Sequence, residues 1–268
     1  MPSRIPSFFA TPFQALAHRG GAGYAPNRGR ENSLYAFGRA VALGYRYVET
    51  DVHATADGVL VAFHDDRLDR VTDATGRIAD LPYAEVARAR IGGTEPIPRL
   101  DEVFEAYPDT YLNIDIKAPG AIEPLAEVIA DHRAQRRVNV ASFSGARLRA
   151  FRRLAGTQVS TALTPAGSGL LRLAPALARV VPLPGGVLQL PHRTDVPLPG
   201  GRTRTVTVVT AGLVAAAHRA GKKVHVWTID DPDEMVELID LGVDGLVSDR
   251  IDVLKQVLKD RGKWYGDD

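Results

Sequence analysis

Acidic, basic and imidazole side chains cluster in the first quarter of this 268-residue chain. His18-Arg19-Gly20 follows a short apolar run over residues 13–17. Further groups along the chain are Glu31-Asn32, Glu49-Thr50-Asp51 and His64-Asp65. The whole chain contains only 7 His, so two of them beside several carboxylates and an arginine form an informative concentration.

These residue types are the ones that a metal-assisted attack on a phosphodiester requires. Carboxylate oxygens can hold a divalent ion, and that ion together with an arginine fork can neutralise a phosphate. Two histidines can exchange protons near neutral pH. The residue inventory therefore predicts phosphodiester chemistry before any fold is considered.

Composition matches an ordinary globular protein, with 45% apolar and 24% charged residues. The net charge of +1, with Lys and Arg scattered, gives no electrostatic footprint for nucleic acid. No stretch approaches the roughly 20 apolar residues of a membrane span, and the N-terminus lacks the regions of a signal peptide. Zero cysteines exclude disulfides, thiolate metal sites and a Cys nucleophile. We therefore expect a cytoplasmic protein that uses oxygen ligands or His.

Short β-rich runs alternate with amphipathic helical stretches, a pattern typical of parallel βα units. Eight strands are predicted, over residues 13–18, 47–52, 111–116, 138–142, 158–162, 187–190, 223–228 and 244–247. Most precede a helix or a stretch that could hold one, which favours an α/β fold of the (β/α)8 TIM-barrel type. Length alone would also allow two small domains, but the alternation resumes after each irregular segment. We expect one domain over 1–268, with its core over about 13–260.

Helix ends carry explicit signals in several places. A helix is predicted to begin at Asp231-Pro232 and to end before Gly242. Thr210 and Asp249 are predicted to cap two further helices.

Two segments fit the alternation less well. The first is an insert after the second strand, over 66–98, with a turn at 73–76 and a helix near 83–89. The second, over 164–204, is rich in Pro, Gly and Leu, and its helix can be placed only loosely.

Alternation along the strands predicts which polar side chains point into the barrel, because the apolar face should meet the helices. The inward residues of the second, third and seventh strands are then Glu49, Asp51 and His53; Asn113, Asp115 and Lys117; and His225 and Trp227. Barrel active sites lie at the C-terminal ends of strands, where these residues converge.

Three inward carboxylates, Glu49, Asp51 and Asp115, cannot lie together unless a cation or protons balance them. Oxygen ligands favour hard ions such as Mg²⁺ or Ca²⁺, and Mn²⁺ and Zn²⁺ remain open. Arg19 and Lys117 then suit an anionic ligand, since a guanidinium binds two phosphate oxygens and an ammonium adds a point charge.

On these residues the chain resembles the glycerophosphodiester phosphodiesterase family of phospholipase-C-like phosphodiesterase barrels. Seven motifs in the family's order, spanning 17–254, carry the resemblance: His18-Arg19-Gly20-Gly21, Glu31-Asn32-Ser33, Val48-Glu49-Thr50-Asp51-Val52, Phe63-His64-Asp65, Ile114-Asp115-Ile116-Lys117, Ser142-Phe143-Ser144, and the run from Val226-Trp227-Thr228 to Asp249. Each is weak alone, but seven in register make a chance similarity improbable.

The resemblance implies a role for each matched position. His18 and His64 match the family's acid/base pair. The matched metal positions are Glu49, Asp51, the third-strand carboxylate Asp115, and Glu31, which helps to build the metal and substrate site. The matched substrate positions are Arg19 and Lys117 near the phosphate, and Phe143 and Trp227 in the pocket wall.

Two departures from the family pattern affect these expectations. Arg30 stands where relatives have Pro, so we expect a differently shaped loop before Glu31. Asp115 stands where Glu is usual, so the shorter side chain would bind the ion through a water or shift its position.

The remaining polar residues have plainer interpretations. His53 is expected to be structural or to support the site, and His192 and His218 to lie on the solvated surface. His132 should end a helix, where cations are favoured. For His225, filling the barrel interior and a role in the site are equally open. For Asp65, orienting His64 and capping the next turn are equally open.

The leading hypothesis is a metal-dependent phosphodiesterase that hydrolyses glycerophosphodiesters to glycerol 3-phosphate and an alcohol, with His18 as base and His64 as acid. One alternative is a lysophospholipase D acting on lipid-tailed substrates, with an apolar entrance over 163–198. Another is an inactive phosphate-binding barrel, which the retained histidine pair opposes. The expected partner is a small-molecule substrate, with no nucleic acid and no membrane span.

Overall fold

Strands and helices alternate through residues 7–197 and 201–267, which are the residues that the computed structural model describes. The strands are β1 (Gln14–Ala17), β2 (Tyr47–Ala54), β3 (Leu60–Ala62), β4 (Arg90–Ile91), β5 (Glu95–Pro96), β6 (Tyr111–Ile116), β7 (Val138–Ala141), β8 (Ser160–Thr161), β9 (Val187–Pro191), β10 (Arg193–Pro197), β11 (Thr203–Thr207), β12 (Lys223–Trp227) and β13 (Gly245–Ser248). The α-helices are α1 (Leu34–Ala42), α2 (Tyr83–Val86), α3 (Leu100–Ala106), α4 (Ile122–Asp131), α5 (Gly145–Ala155), α6 (Pro165–Leu173), α7 (Ala211–Arg219), α8 (Pro232–Leu241) and α9 (Ile251–Asp260). Within the described ranges, no helix has both the length and the apolar character needed to cross a membrane.

Eight parallel strands form the central sheet, in the order β8-β7-β6-β2-β1-β13-β12-β9. Its two ends meet through a parallel bridge between Ala162 and Val187, where the Leu163 amide donates to the Val187 carbonyl over 2.8 Å. The sheet is therefore a nearly closed barrel of one domain. All eight predicted strands are present, and the predicted TIM-barrel class is confirmed.

The outward face of the strands packs against the helices, as the alternation predicts. Val48 and Val52 of β2 and Ile114 of β6 are at most 1% exposed, in one large core with Phe37 of α1 and Phe104 of α3. Burying such a side chain contributes about 1.5–3 kcal/mol relative to leaving it exposed. The polar residues between them consequently point to the barrel interior.

The insert after β2 has a hydrophobic core of its own. It opens with β3, which pairs antiparallel with β2, so that Val52 lies opposite Ala62. The members of this insert core are Val61, Phe63, Leu68, Ile78, Val86, Ala89, Ile91 and Ile97. The predicted helix near 83–89 is the short α2, whereas β3 escaped prediction because its three residues are all buried and show no alternation.

Strands β10 and β11 form an antiparallel hairpin. It begins in the irregular segment over 164–204 and ends just after it. Its strands pair antiparallel from Arg193 with Thr207 to Pro197 with Thr203. The helix predicted in this segment is α6, whereas the hairpin was not predicted. The hairpin residues are almost all exposed, so they lack the buried face that produces a period-two pattern.

Two of the three predicted helix caps are confirmed. Asp231 accepts a hydrogen bond from the Glu234 amide at the start of α8, and Thr210 accepts one from the Leu213 amide at the start of α7. The prediction for Asp249 is wrong. Helix α9 begins after Arg250 without a side-chain cap, and the Asp249 carboxylate turns toward the barrel mouth.

Candidate active site

A cavity of about 450 Å³ lies at the C-terminal ends of the barrel strands. Nine of the ten predicted site residues line it: His18, Arg19, Glu49, Asp51, His64, Asp115, Lys117, Phe143 and Trp227. The tenth, Glu31, reaches the cavity wall indirectly, through an ion pair with Arg19. The structure thus brings residues from six separate motifs to one place.

A left-handed turn presents the first motif to this cavity. Arg19 has φ 50°, and Gly20 and Gly21 follow with φ 85° and 90°. A Cβ at Gly20 would lie 2.9 Å from the Ala36 carbonyl carbon, so only glycine fits there. The turn aims the Arg19 amide at Glu49, with 3.2 Å between the amide nitrogen and Oε2.

His18 is held between two carboxylates. Strands β1 and β13 pair in parallel with Ala17 opposite Ser248, so the next residues, His18 and Asp249, also meet. The His18 Nδ1 donates to Asp249 Oδ1 over 2.8 Å, while Nε2 lies 3.8 Å from Glu49 Oε2. Burial alone would lower the pKa of His18, but the charges of Glu49 and Asp249 and the hydrogen bond raise it above 6.5 overall.

His64 has the same arrangement with a different partner. Its Nδ1 donates to Asp65 Oδ1 over 2.6 Å, so the orienting role left open for Asp65 is the one observed. His53 contacts the backbone of the same residue, with its Nε2 donating to the His64 carbonyl over 3.1 Å. In both cavity histidines a carboxylate engages Nδ1, which leaves Nε2 as the nitrogen for proton exchange.

Lys117 bridges two inward carboxylates. Strands β2 and β6 are in register with Asp51 opposite Asp115, and the Lys117 Nζ lies 2.8 Å from Asp51 Oδ1 and from Asp115 Oδ2. Arg19 Nε is 3.3 Å from the other oxygen of Asp51. Burial would raise the pKa of Asp51, but Lys117 and Arg19 lower it overall.

Glu49 is the least compensated carboxylate of the site. Burial raises its pKa, and the nearby charge of Asp51 raises it further, more than His18, Lys117 and Arg19 lower it. A buried carboxylate in this state favours an additional positive charge.

Asn32 is a site residue that the sequence analysis quoted but to which it gave no role. Its Nδ2 donates to Asp51 Oδ2 over 3.0 Å, and its Oδ1 accepts from the Thr50 hydroxyl over 2.8 Å. Asn32 has φ 57°, a conformation that asparagine tolerates better than most residues. Its place directly after Glu31 was the signal that could have identified it.

The opposite wall of the cavity is apolar. Phe143, which is 67% exposed, makes an edge contact with Trp227 at 5.5 Å between ring centroids. Apolar side chains continue this wall, namely Ala141, Ala162, Leu163, Pro165, Leu190, Pro191 and Val247. The cavity therefore has a charged side for a phosphate and an uncharged side for another part of a ligand.

His192 and His225 are among the histidines that do not line the cavity, and His192 corrects a prediction. His192 was expected on the surface, but it is 3% exposed and its Nδ1 donates to Glu234 Oε1. Glu234 lies in α8, 42 residues away in sequence, so the residues around His192 could not reveal this contact. His225 fills the barrel interior, with Nε2 donating to Gln14 Oε1 over 3.1 Å.

The donor set suits a hard divalent cation. Glu49, Asp51 and Asp115 offer carboxylate oxygens around one cavity, and among the described residues Asp115 Oδ1 is buried without a hydrogen-bond partner. No three His, Asp or Glu side chains within 7–197 and 201–267 already converge as a metal site, and Lys117 instead holds Asp51 and Asp115 together. The types of ligand atom present suit the ion. For the ion to bind, the contacts of Lys117 with Asp51 and Asp115 would have to lengthen.

Comparison with known proteins agrees with this geometry. Residues 18–253 match the Glycerophosphoryl diester phosphodiesterase family. A probable glycerophosphodiester phosphodiesterase 2 of Mycobacterium tuberculosis is 42% identical, over 94% of this chain and 93% of its own length. A lysophospholipase D of Rattus norvegicus is 27% identical, over 91% of this chain and 85% of its own.

The solved structure of an Oleispira antarctica phosphodiesterase, in complex with the product sn-glycerol-3-phosphate, has a similar fold. It superimposes with a TM-score of 0.75 at 25% identity and covers 94% of this chain and 99% of that one. With the family match over residues 18–253, the resemblance inferred from the motifs is confirmed. The chain belongs to the glycerophosphoryl diester phosphodiesterase family, and it is a phosphoric diester hydrolase.

Proposed function

We propose that this protein hydrolyses glycerophosphodiesters to glycerol 3-phosphate and an alcohol, with the help of a divalent ion and in the cytoplasm. The observation that carries the proposal is the pair of carboxylate-bound histidines, His18 and His64, in one cavity with Arg19 and Lys117. The Mycobacterium tuberculosis relative and the Oleispira antarctica product complex support the same substrate class.

The ion would be held by Glu49, Asp51 and Asp115, and when bound it supplies a positive charge that polarises the phosphoryl group. Glu31 is the weakest of the four proposed ligands, because both of its oxygens already accept hydrogen bonds from arginines. Burial would raise the pKa of Glu31, but Arg70 and Arg19 lower it overall.

Arg19 and Lys117 would bind the phosphoryl oxygens. Both side chains are about four-fifths buried, with 17% and 18% exposure, so their charges are little screened by solvent. In this role they would stabilise the negative charge that develops in the transition state.

The histidines would move the protons. His18 accepts a proton through Nε2 from the attacking oxygen, which is that of a water or of the neighbouring glycerol hydroxyl, and His64 donates one to the leaving alkoxide. Asp249 and Asp65 fix each ring in the tautomer that leaves Nε2 facing the cavity. They also stabilise whichever ring is protonated.

A second candidate is lysophospholipase D activity. The apolar wall that runs from Phe143 to Leu190 favours it, because a lipid tail on the glycerol would bury apolar surface there. The rat relative carries that activity in its name. The two candidates share one chemical step and differ in whether the glycerol of the substrate carries an acyl chain.

Hydrolysis of glycerophosphocholine, glycerophosphoethanolamine and a lysophosphatidylcholine, each with and without EDTA, tests both candidates. We expect glycerol 3-phosphate from the first two, loss of turnover with EDTA, and recovery with Mg²⁺, Mn²⁺ or Ca²⁺. A His18→Ala preparation, purified in the same way, controls for contaminating hydrolases.

Faster release of choline from lysophosphatidylcholine would favour the second candidate. Full activity after exhaustive chelation, with no metal by elemental analysis, would contradict the metal-dependent mechanism. Binding of glycerol phosphate without turnover of any diester would instead indicate an inactive phosphate-binding barrel.

A further inference from the structure

Arg70 joins two carboxylates of the active site from outside the barrel. It ends a short 3-10 turn, Leu68–Arg70, in the insert after β2. Its Nε and Nη2 donate to the two oxygens of Asp65 over 2.6 and 3.2 Å. Its Nη2 and Nη1 donate to the two oxygens of Glu31 over 2.6 and 3.1 Å. Every nitrogen of the guanidinium is therefore committed to these two partners.

Each partner of Arg70 holds a residue that faces the substrate. Asp65 Oδ1 accepts from His64 Nδ1 over 2.6 Å, and Glu31 Oε1 accepts from Arg19 Nη1 over 3.0 Å. The described residues that line the cavity do not include Arg70 itself. The contacts thus form a continuous chain from Arg19 through Glu31, Arg70 and Asp65 to His64.

The insert holds this guanidinium in a defined place. Leu68, two residues earlier, is 1% exposed in the insert core, and its amide donates to the Gly76 carbonyl over 3.0 Å. The Thr72 hydroxyl donates to the Leu68 carbonyl over 2.8 Å. Although Arg70 is 47% exposed, its two bidentate contacts and this anchored turn restrict its side chain.

The charge of Arg70 also keeps Asp65 ionised. Burial would raise the pKa of Asp65, but hydrogen bonds from Arg70 and His64 hold it at about 2. An ionised Asp65 accepts from His64 throughout the pH range in which a histidine works.

From this geometry we infer that Arg70 is a positioning residue, which sets the His64 ring and the Arg19 guanidinium relative to each other through Asp65 and Glu31. The inference rests on the proposed function, because it assigns these two groups to the two sides of one phosphodiester. A displacement of about 1 Å in such a group can cost on the order of 100-fold in rate.

The test compares Arg70→Met and Arg70→Lys with the wild type, and uses Arg77→Met as the matched control. Arg77 belongs to the same insert and pairs with Asp66 at 3.4 Å, but both side chains are more than half exposed and face solvent. We expect Arg70→Met to lower kcat by about 10- to 100-fold with a smaller change in KM, as is typical of groups that orient catalytic ligands. Arg70→Lys keeps the charge without the two bidentate contacts, so its kcat should fall in between.

Two further readouts separate positioning from a general loss of structure. In ¹⁵N-histidine-labelled protein, the His64 Nδ1 resonance should shift in Arg70→Met and stay in place in Arg77→Met. The double variant Arg70→Met/Asp65→Asn should lose less activity than the product of the two single losses, because the two substitutions share the contact that orients His64. If Arg70→Met does not fold, Arg70→Lys carries the same comparisons.

Equal kcat in Arg70→Met and Arg77→Met, an unmoved His64 resonance, or fully multiplicative losses in the double variant would overturn the inference. These outcomes differ from a failure of the proposed function, in which the wild type itself would not hydrolyse the diesters. In that case the His64 resonance of Arg70→Met would still decide whether Arg70 holds the ring.

Discussion

Each of the two cavity histidines is paired with an acidic residue, and the two acidic residues come from different parts of the chain. Asp65 is the neighbour of His64, whereas Asp249 is 231 residues away from His18 and reaches it only through the pairing of β1 with β13. The two rings therefore share one chemical arrangement but depend on different parts of the fold. This difference allows their roles to be separated by substitution.

If the two histidines form a proton-transfer pair, His18→Ala and His64→Ala should each remain folded and lose roughly 10²- to 10⁴-fold in kcat. A nitrophenyl phosphodiester has a stable leaving anion and hardly needs an acid. On that substrate we expect partial rescue of His64→Ala and none of His18→Ala, measured by nitrophenolate release. His132→Ala, at the end of α4 and away from the cavity, is the control for loss of an imidazole.

Rescue of His18→Ala alone would exchange the two assignments. Wild-type rates for both variants on glycerophosphocholine would refute catalysis by histidine altogether.

The sequence identified residues of the site that stand in local motifs and missed those whose partners are distant. Glu49, Asp51, Asp115 and Lys117 were found because strand alternation turns them inward, and β2 and β6 do place them side by side. The local sequence predicts a helix cap at Asp249, since an acidic residue just before a helix usually caps it. Nothing local to residue 249 shows that His18 lies beside it, and the pairing of Arg70 with Glu31 was hidden in the same way.

Strands with a clear sequence pattern between helical stretches were predictable, and three strands without one were not. The eight barrel strands alternate or form short apolar runs between helical stretches, which is how they were recognised. Strand β3 has only three residues, all apolar, and the residues of β10 and β11 are almost all exposed, so none of the three shows an informative alternation of polar and apolar residues.

Leu68 tests whether the insert core supports the site. Leu68→Ala should lower the free energy of unfolding by about 2–5 kcal/mol, because Leu68 is 1% exposed and the substitution leaves a cavity. Urea unfolding followed by circular dichroism measures this change. Leu154→Ala, at a position that is 52% exposed, is the matched control and should change stability by less than about 0.5 kcal/mol.

The same substitution should also reduce kcat, because Leu68 anchors the turn that carries Arg70. An unchanged kcat in a folded but destabilised Leu68→Ala protein would show that the insert core and the site are independent.

At the scale of the whole molecule, the two ends of the barrel carry different kinds of polar residues. The C-terminal ends of the strands carry the cavity, whereas the N-terminal ends carry a network of structural polar contacts. In that network Gln14 Nε2 donates to the Thr11 carbonyl, and Asp244 accepts from Lys223, His218 and the Val224 amide. His225 belongs to this structural end.

His225 should make the stability of the barrel depend on pH. Burial lowers the pKa of His225 from 6.5 to about 4, so between these values the unfolded chain binds a proton that the native state does not. Stability is therefore lost as the pH falls from about 6.5 toward 4, and a shift of this size corresponds to on the order of 3 kcal/mol. His225→Gln keeps an N–H donor but does not titrate, so its free energy of unfolding should fall less over that range.

Urea titrations of both proteins between pH 7 and pH 4.5 measure the difference. Parallel pH profiles for the wild type and His225→Gln would mean that His225 is not the group responsible.

The contact between His18 and Asp249 also bears on how the enzyme matures during synthesis. His18, the proposed base, meets its partner only after the chain has been translated as far as β13, since β13 must dock beside β1 before Asp249 can reach the ring. A nascent chain that lacks β13 therefore carries most of the cavity residues before His18 has its carboxylate partner. Activity is therefore expected to begin only after β13 has been translated and has docked beside β1.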